Sequence, residues 1–201
     1  MNMLVLASLA FVTLMQDDST EVLRHVSVDD QGEISVKNKS PSGVEVTRSR
    51  SEKEWKRMIG SPPPPLEGGE WFNVDAPLTW DDLRGKVVLL DFWGIYCGPC
   101  VATVPKLKRL YKKHRVDGLI VLGVHTNSYG TAEDVREFIE DRKITYPVLM
   151  ATDETFEAFG QWGLPTYFLV DREGKIDLGF SNQVPWGRQI KRLLTETDTK
   201  K

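Results

Sequence analysis

The sequence predicts an α/β domain behind a polar N-terminal extension, and three observations carry that prediction. First, Val87 to Phe92 is a β-branched and leucine-rich run broken only by Asp91, which suits a strand buried on both faces, and after Gly94 the pattern changes to a helical period. Second, the same order recurs when the strand-like Leu119-Ile-Val-Leu-Gly-Val124 is followed by a helical pattern over Ala132 to Asp141. Third, Tyr167 to Val170 and Lys175 to Phe180 flank an Arg172-Glu-Gly174 turn and read as an antiparallel hairpin. With 201 residues and 40% hydrophobic content, there is room for one substantial core plus an extension.

From the start, Met3 to Met15 is an uncharged apolar run, shorter than the roughly 20 residues that span a bilayer. Its length fits a signal-peptide core, with Ser8-Leu9-Ala10 as a small-residue cleavage pattern, so residues 1–16 are read as a signal peptide or short apolar anchor. That favours an extracytoplasmic setting (periplasm or cell envelope) over a cytoplasmic one, with a membrane nearby if the run is retained. Residues 17–65 form a polar extension and proline-rich linker, either disordered or a small β-extension built from Val22–Val28, Ile34–Val36 and Val44–Val46. Trp55, Met58 and Ile59 are too few to hold a helix alone, and Ser61-Pro-Pro-Pro-Pro65 reads as a stiff spacer that marks the boundary. Residues 66–197 are the folded domain, and 198–201 are a polar tail.

Within the domain a short edge strand is expected around Trp71-Phe-Asn, then a helical turn capped by Thr79. Val104, Leu107, Leu110, Tyr111 and His114 share one helix face after the first buried strand. Val135, Phe138 and Ile139 point inward from the next helix, before a strand at Pro147–Met150 and a short helix from Thr155 to Trp162. Trp186, Ile190, Leu193 and Leu194 line the last helix.

Both cysteines of the chain lie in Cys97-Gly-Pro-Cys100, at the expected strand-to-helix turn. There, unpaired backbone N–H groups and the helix dipole stabilise a thiolate on Cys97, and the thiolate is the reactive form. Cys100 lies one turn further in, close enough for a small disulfide ring, and Pro99 removes no hydrogen bond from the first turn. The expected chemistry is thiol–disulfide exchange. A zinc site lacks ligands, since no further cysteine exists and His114 and His125 have the wrong spacing. A purely structural disulfide is poorly served by so short a loop. His125, ending the second buried strand, is either a capping or surface residue or a group that tunes the thiolate.

Asp91-Phe-Trp-Gly-Ile-Tyr-Cys-Gly-Pro-Cys100, with Pro105 five residues on, resembles the thioredoxin active-site region, and Gly163-Leu-Pro-Thr166 resembles that superfamily's cis-proline loop. Leu83-Arg-Gly-Lys-Val-Val and Leu169-Val-Asp-Arg-Glu-Gly-Lys-Ile176 resemble its TlpA/ResA-like branch. The resemblance implies a thioredoxin-like fold, with a central mixed sheet flanked by helices, and a thiol–disulfide oxidoreductase of the reducing kind. It implies Cys97 as nucleophile, Cys100 as resolving thiol, Asp91 as the buried carboxylate that handles the Cys100 proton, and Leu164 and cis Pro165 as substrate-binding, with Tyr96 and Trp93 beside them. Tyr96 stands where the family usually has tryptophan, Thr103 where the branch commonly has glutamate, and the lysine that thioredoxins place on the next strand is missing. Without that lysine, Asp91 is expected to ionise less readily.

The implied partners are protein disulfide substrates and a dithiol electron donor, with no cofactor and no metal. A net charge of −3 with interspersed signs offers no basic stripe for nucleic acid. Two other readings remain open at this stage. A thiol peroxidase would need a Pro-x-x-x-Thr-x-x-Cys run, which the segment before Cys97 lacks. A non-catalytic interaction module would leave the cysteine pair without work.

Overall fold

A computed structural model describes residues 24–28, 34–39, 45–49, 52–160, 163–181 and 187–196, in two compact units, Met1–Ser49 and Arg50–Lys201. The apolar run at 3–15, Trp162, Trp186 and the tail at 198–201 lie outside the described residues. In the first unit β1 (Arg24–Val28), β2 (Ile34–Lys39) and β3 (Glu45–Ser49) form an antiparallel meander, with Val26 opposite Val36 and Val36 opposite Arg48. These strands coincide with the valine-rich pieces of the extension.

The second unit is built on a six-stranded sheet of β4 (Gly68–Phe72), β5 (Val87–Trp93), β6 (Leu119–Thr126), β7 (Val148–Ala151), β8 (Thr166–Val170) and β9 (Ile176–Ser181). Their order across the sheet is β4-β7-β6-β5-β8-β9. Strands β5, β6 and β7 run parallel, whereas β4, β8 and β9 pair antiparallel to their neighbours. The sheet is therefore mixed. The helices are α1 (Glu52–Met58), α2 (Gly98–His114), α3 (Ala132–Asp141), α4 (Asp153–Ala158) and α5 (Arg188–Thr195).

Every residue of β5 is buried, and its period-two alternation feeds two separate cores. Val88, Leu90 and Phe92 pack with Leu122, Phe159 and Phe168, and with Trp55 of α1 and Phe156 of α4. Val87, Leu89 and Trp93 pack with Cys100, Val104 and Leu107 of α2, Val135 and Ile139 of α3, and Ile190 and Leu193 of α5. Asp91 has the parity of the second set, so the strand register alone aims it into the face that carries Cys100.

α1, which precedes the Pro62–Pro65 run, packs on the second unit. The short apolar content of α1 conceals that packing. The Trp55 indole donates to the Gly160 carbonyl at 3.2 Å and meets Phe168 edge-on at 6.2 Å. Ile176 then clamps the chain beyond α1, donating to the Ser61 carbonyl and accepting from the Gly60 N–H. Pro63 is buried, and the Pro64 carbonyl accepts the Trp80 indole N–H at 2.8 Å, so the proline run is docked on the domain instead of acting as a free spacer.

Candidate active site

β5 ends at Trp93, the chain turns through Gly94, Ile95 and Tyr96, and α2 begins. Cys97 is the N-cap of α2: its backbone is extended and its sulfur accepts the Cys100 N–H at 3.3 Å. Pro99 occupies the first turn, where no intrahelical donor is needed, and that turn carries no acidic residue. The positive end of the helix is thus left for the sulfur. Pro105, inside α2, has no N–H to give the Val101 carbonyl. Cys97 and Cys100 form a disulfide, with Cα atoms 5.2 Å apart. The pair is asymmetric, since Cys97 is half-buried whereas Cys100 is 1% exposed.

Asp91, on the face of β5 that packs against α2, is itself 1% exposed, and neither carboxylate oxygen has a hydrogen-bond partner among the described residues. Burial pushes its pKa up to about 8, as expected for a buried acid without a lysine partner. Two tyrosines share its surroundings. Tyr167 stands opposite Asp91 in the β5–β8 register and its hydroxyl lies 3.2 Å from Thr103 Oγ1, one helical turn beyond Cys100. Tyr146 is fully buried. Both phenols are pushed above their ordinary pKa, mainly by burial and then by the Asp91 charge. Gly123, opposite Asp91 on β6, admits this crowding: a Cβ there would fall 2.9 Å from the Trp93 indole nitrogen.

The other expected site residues divide. The Leu164–Pro165 peptide bond is cis, and because Thr166 pairs with Phe92, the loop reaches the sheet edge from which Cys97 emerges. Leu164 packs partly against the core that holds both cysteines, and Pro165 is buried. Tyr96, at 71% exposed, is free to meet an incoming chain. Trp93, expected beside the substrate, is instead fully buried, packed edge-on to His125 at 5.1 Å and tilted on Phe138 at 5.4 Å. Its position as the last residue of a strand covered on both faces turns it inward, so it supports the turn from below.

Residue chemistry alone did not single out Tyr146, or the Tyr167–Thr103 hydroxyl pair. The signal for Tyr167 was present in the sequence as strand parity, since a hairpin strand beside β5 sets its own residues opposite Asp91. Tyr146 carried no such signal. No group of three or more potential metal ligands occurs among the described residues.

A mixed sheet, a C-x-x-C pair capping a helix at the end of its central strand, and a cis-proline loop at the same edge define a thioredoxin-like thiol–disulfide oxidoreductase domain. A model of the AhpC/TSA family matches residues 66–178, and the chain belongs to that family. It is 32% identical over 143 residues to the thiol-disulfide oxidoreductase ResA of Geobacillus thermodenitrificans, covering 71% of this chain and 72% of that one. Against the ResA of Bacillus subtilis it is 34% identical over 96 residues, and the match spans about half of each, 47% and 52%. A thiol-disulfide isomerase from Corynebacterium glutamicum superposes with a TM-score of 0.62 at 29% identity, covering 69% of this chain and 99% of that structure.

Proposed function

We propose that the domain reduces disulfides of extracytoplasmic proteins and is itself recharged by a dithiol donor. The observation that carries this reading is the asymmetry of the pair, an accessible sulfur at a helix N-terminus bonded to a buried sulfur, with a buried acid on the strand face that packs against the same helix. In the reduced state, the Cys97 thiolate attacks a substrate disulfide, forming a mixed disulfide and releasing one substrate thiolate. Cys100 then gives its proton to ionised Asp91 and its thiolate attacks Cys97 Sγ, which expels the second substrate thiolate and closes the internal disulfide. The donor's two thiols restore the dithiol, and Asp91 returns the proton. A base with a pKa of about 8 sits near the working pH, where proton transfer is efficient.

The Leu164–Pro165 loop holds the substrate backbone, and the exposed ring of Tyr96 supplies a flat apolar contact beside the sulfur. The Gly98-Pro99 dipeptide favours the reducing direction. The N-terminal apolar run supports export and proximity to a membrane.

The test is turnover of a disulfide protein such as insulin with excess dithiothreitol. Cys97→Ser should abolish it, and Cys100→Ser should accumulate a mixed disulfide through Cys97. Normal turnover by Cys97→Ser would sink the reading. Equilibration with glutathione checks direction: a potential near thioredoxin's roughly −270 mV supports a reductase, and one near DsbA's roughly −120 mV makes the protein an oxidant.

A further inference from the structure

We propose that His125 is a positioning residue for this exchange reaction, a neutral buried imidazole that accepts the Ile95 backbone N–H and thereby fixes the turn presenting Cys97. The proposal rests on the exchange reading of the site and adds to it a residue outside the cysteine motif.

Gly94, Ile95 and Tyr96 have left the β5 ladder and have not yet entered α2, so their backbone groups need partners from elsewhere. Cys97 N–H donates to the Gly94 carbonyl at 3.0 Å, which closes the turn. Ile95 N–H donates to His125 Nε2 at 3.1 Å, which ties that turn to β6, a strand at the centre of the sheet. The ring is fully buried and held in place: parallel register sets His125 beside Trp93 on β5, whose indole meets it edge-on, and beside Met150 on β7.

A nitrogen that accepts an N–H carries a lone pair, so Nε2 is unprotonated and the single ring proton is on Nδ1. An imidazolium would oppose one donor with another and release the turn. Burial keeps the ring neutral well below its ordinary range. The titratable groups sharing this face are Asp91 on β5, Tyr111 and the cysteines on or at the start of α2, Tyr146 after α3 and Tyr167 on β8.

The consequence for Cys97 follows from distance. Stabilisation of a thiolate by a helix N-terminus fades within about one turn, so it depends on where the capping sulfur is held. His125 acts through the backbone two residues before the sulfur, at the Ile95 N–H.

The experiment follows alkylation of Cys97 by iodoacetamide, read by mass spectrometry, in the reduced full chain over about pH 5 to 10. Relative to wild type, His125→Leu should slow Cys97 alkylation at pH 7 about tenfold and displace its pH profile upward, as expected for losing one buried hydrogen bond from the turn. His125→Gln, whose amide oxygen can reach the same N–H, should return the rate to within about threefold. Coincident wild-type and Leu profiles, or Leu and Gln variants that behave alike, would overturn the assignment. Should the Leu variant not fold, nitrogen NMR of the wild type decides: a neutral ring protonated on Nδ1, with coupling across the bond to Ile95, supports it. An Nε2-protonated ring or an imidazolium at pH 7 overturns it. Wild-type Cys97 that reacts no faster than a free thiol overturns the exchange reading, and the NMR result still judges the His125 bond separately.

Discussion

The two faces of β5 are built to opposite specifications. On one, Val88, Leu90 and Phe92 look into an apolar core where Phe92 meets Phe159 at 5.0 Å, Phe156 at 5.1 Å and Phe168 at 5.7 Å, and where the indoles of Trp55 and Trp80 both donate to carbonyls. On the other, the same strand contributes Asp91 and Trp93 to a core that also holds Tyr146 and His125, and the Asp91 oxygens, Trp93 Nε1 and the Tyr146 hydroxyl have no hydrogen-bond partner among the described residues. Each buried polar group left unpaired costs on the order of 1–3 kcal/mol. The aromatic face therefore supplies stability, and the face under α2 forgoes some of it to hold an acid and a thiol away from water. Alternating positions of seven residues encode both.

The largest break in this comparison should come from the aromatic face. Phe92→Ala removes a ring that touches three others and should cost about 3–5 kcal/mol in denaturant unfolding of the oxidised protein. Cys97 of the molecules that remain folded should alkylate at the wild-type rate. A fall in that rate matching the loss of stability would mean that the faces are not separable.

Asp91→Asn tests the other face and should show itself in pH dependence. Burial raises Asp91 from 3.8 to about 8, so between those values the folded state keeps a proton that the unfolded chain has released, and stability is withdrawn as pH rises towards 8. His125, lowered from 6.5 to about 4 by burial, has the opposite sign: the unfolded chain binds the extra proton, and stability is withdrawn as pH falls from 6.5 to 4. The two slopes oppose each other from about pH 4 to 6.5, and that of Asp91 stands uncovered from 6.5 to 8, worth on the order of 2 kcal/mol. Asp91→Asn should remove that decline, read as unfolding free energies at pH 6.5 and pH 8. It should also slow turnover by about a hundredfold, at the low end of a general base's contribution. An unchanged decline would refute the buried-acid account of this face.

Much of this contrast was legible in the sequence, and the limits of legibility have physical causes. The Val87 to Phe92 run and its change of period located the central strand and α2, because burial on both faces and a 3.6-residue repeat leave distinct patterns. Asp91 stood out as the single charge in that run. The inward turn of Trp93 is not legible from its nearness to Cys97 in sequence, because strand parity sets it. The packing of α1 and the prolines leaves no sequence signal because their partners, Gly160, Phe168, Ile176 and Trp80, lie from 16 to more than 100 residues away. A seven-residue helix shows no helical signal of its own when its stability comes entirely from such distant contacts.

The smallest effect should come from Trp55→Phe, and it sharpens the comparison most finely. Phenylalanine retains an aromatic edge against Phe168 and loses only the indole bond to the Gly160 carbonyl, so the expected cost is about 1 kcal/mol. A linker outside the domain would show no cost, and thermal unfolding of the two proteins separates the cases. Gly160 lies just ahead of Gly163-Leu164-Pro165-Thr166, the loop at the Cys97 edge. If α1 serves stability alone, insulin turnover at saturating dithiol should be unchanged. A turnover loss greater than the stability loss would show that α1, through Gly160, also steadies the substrate loop, and the aromatic face would then reach the chemistry by a route around the sheet instead of through β5.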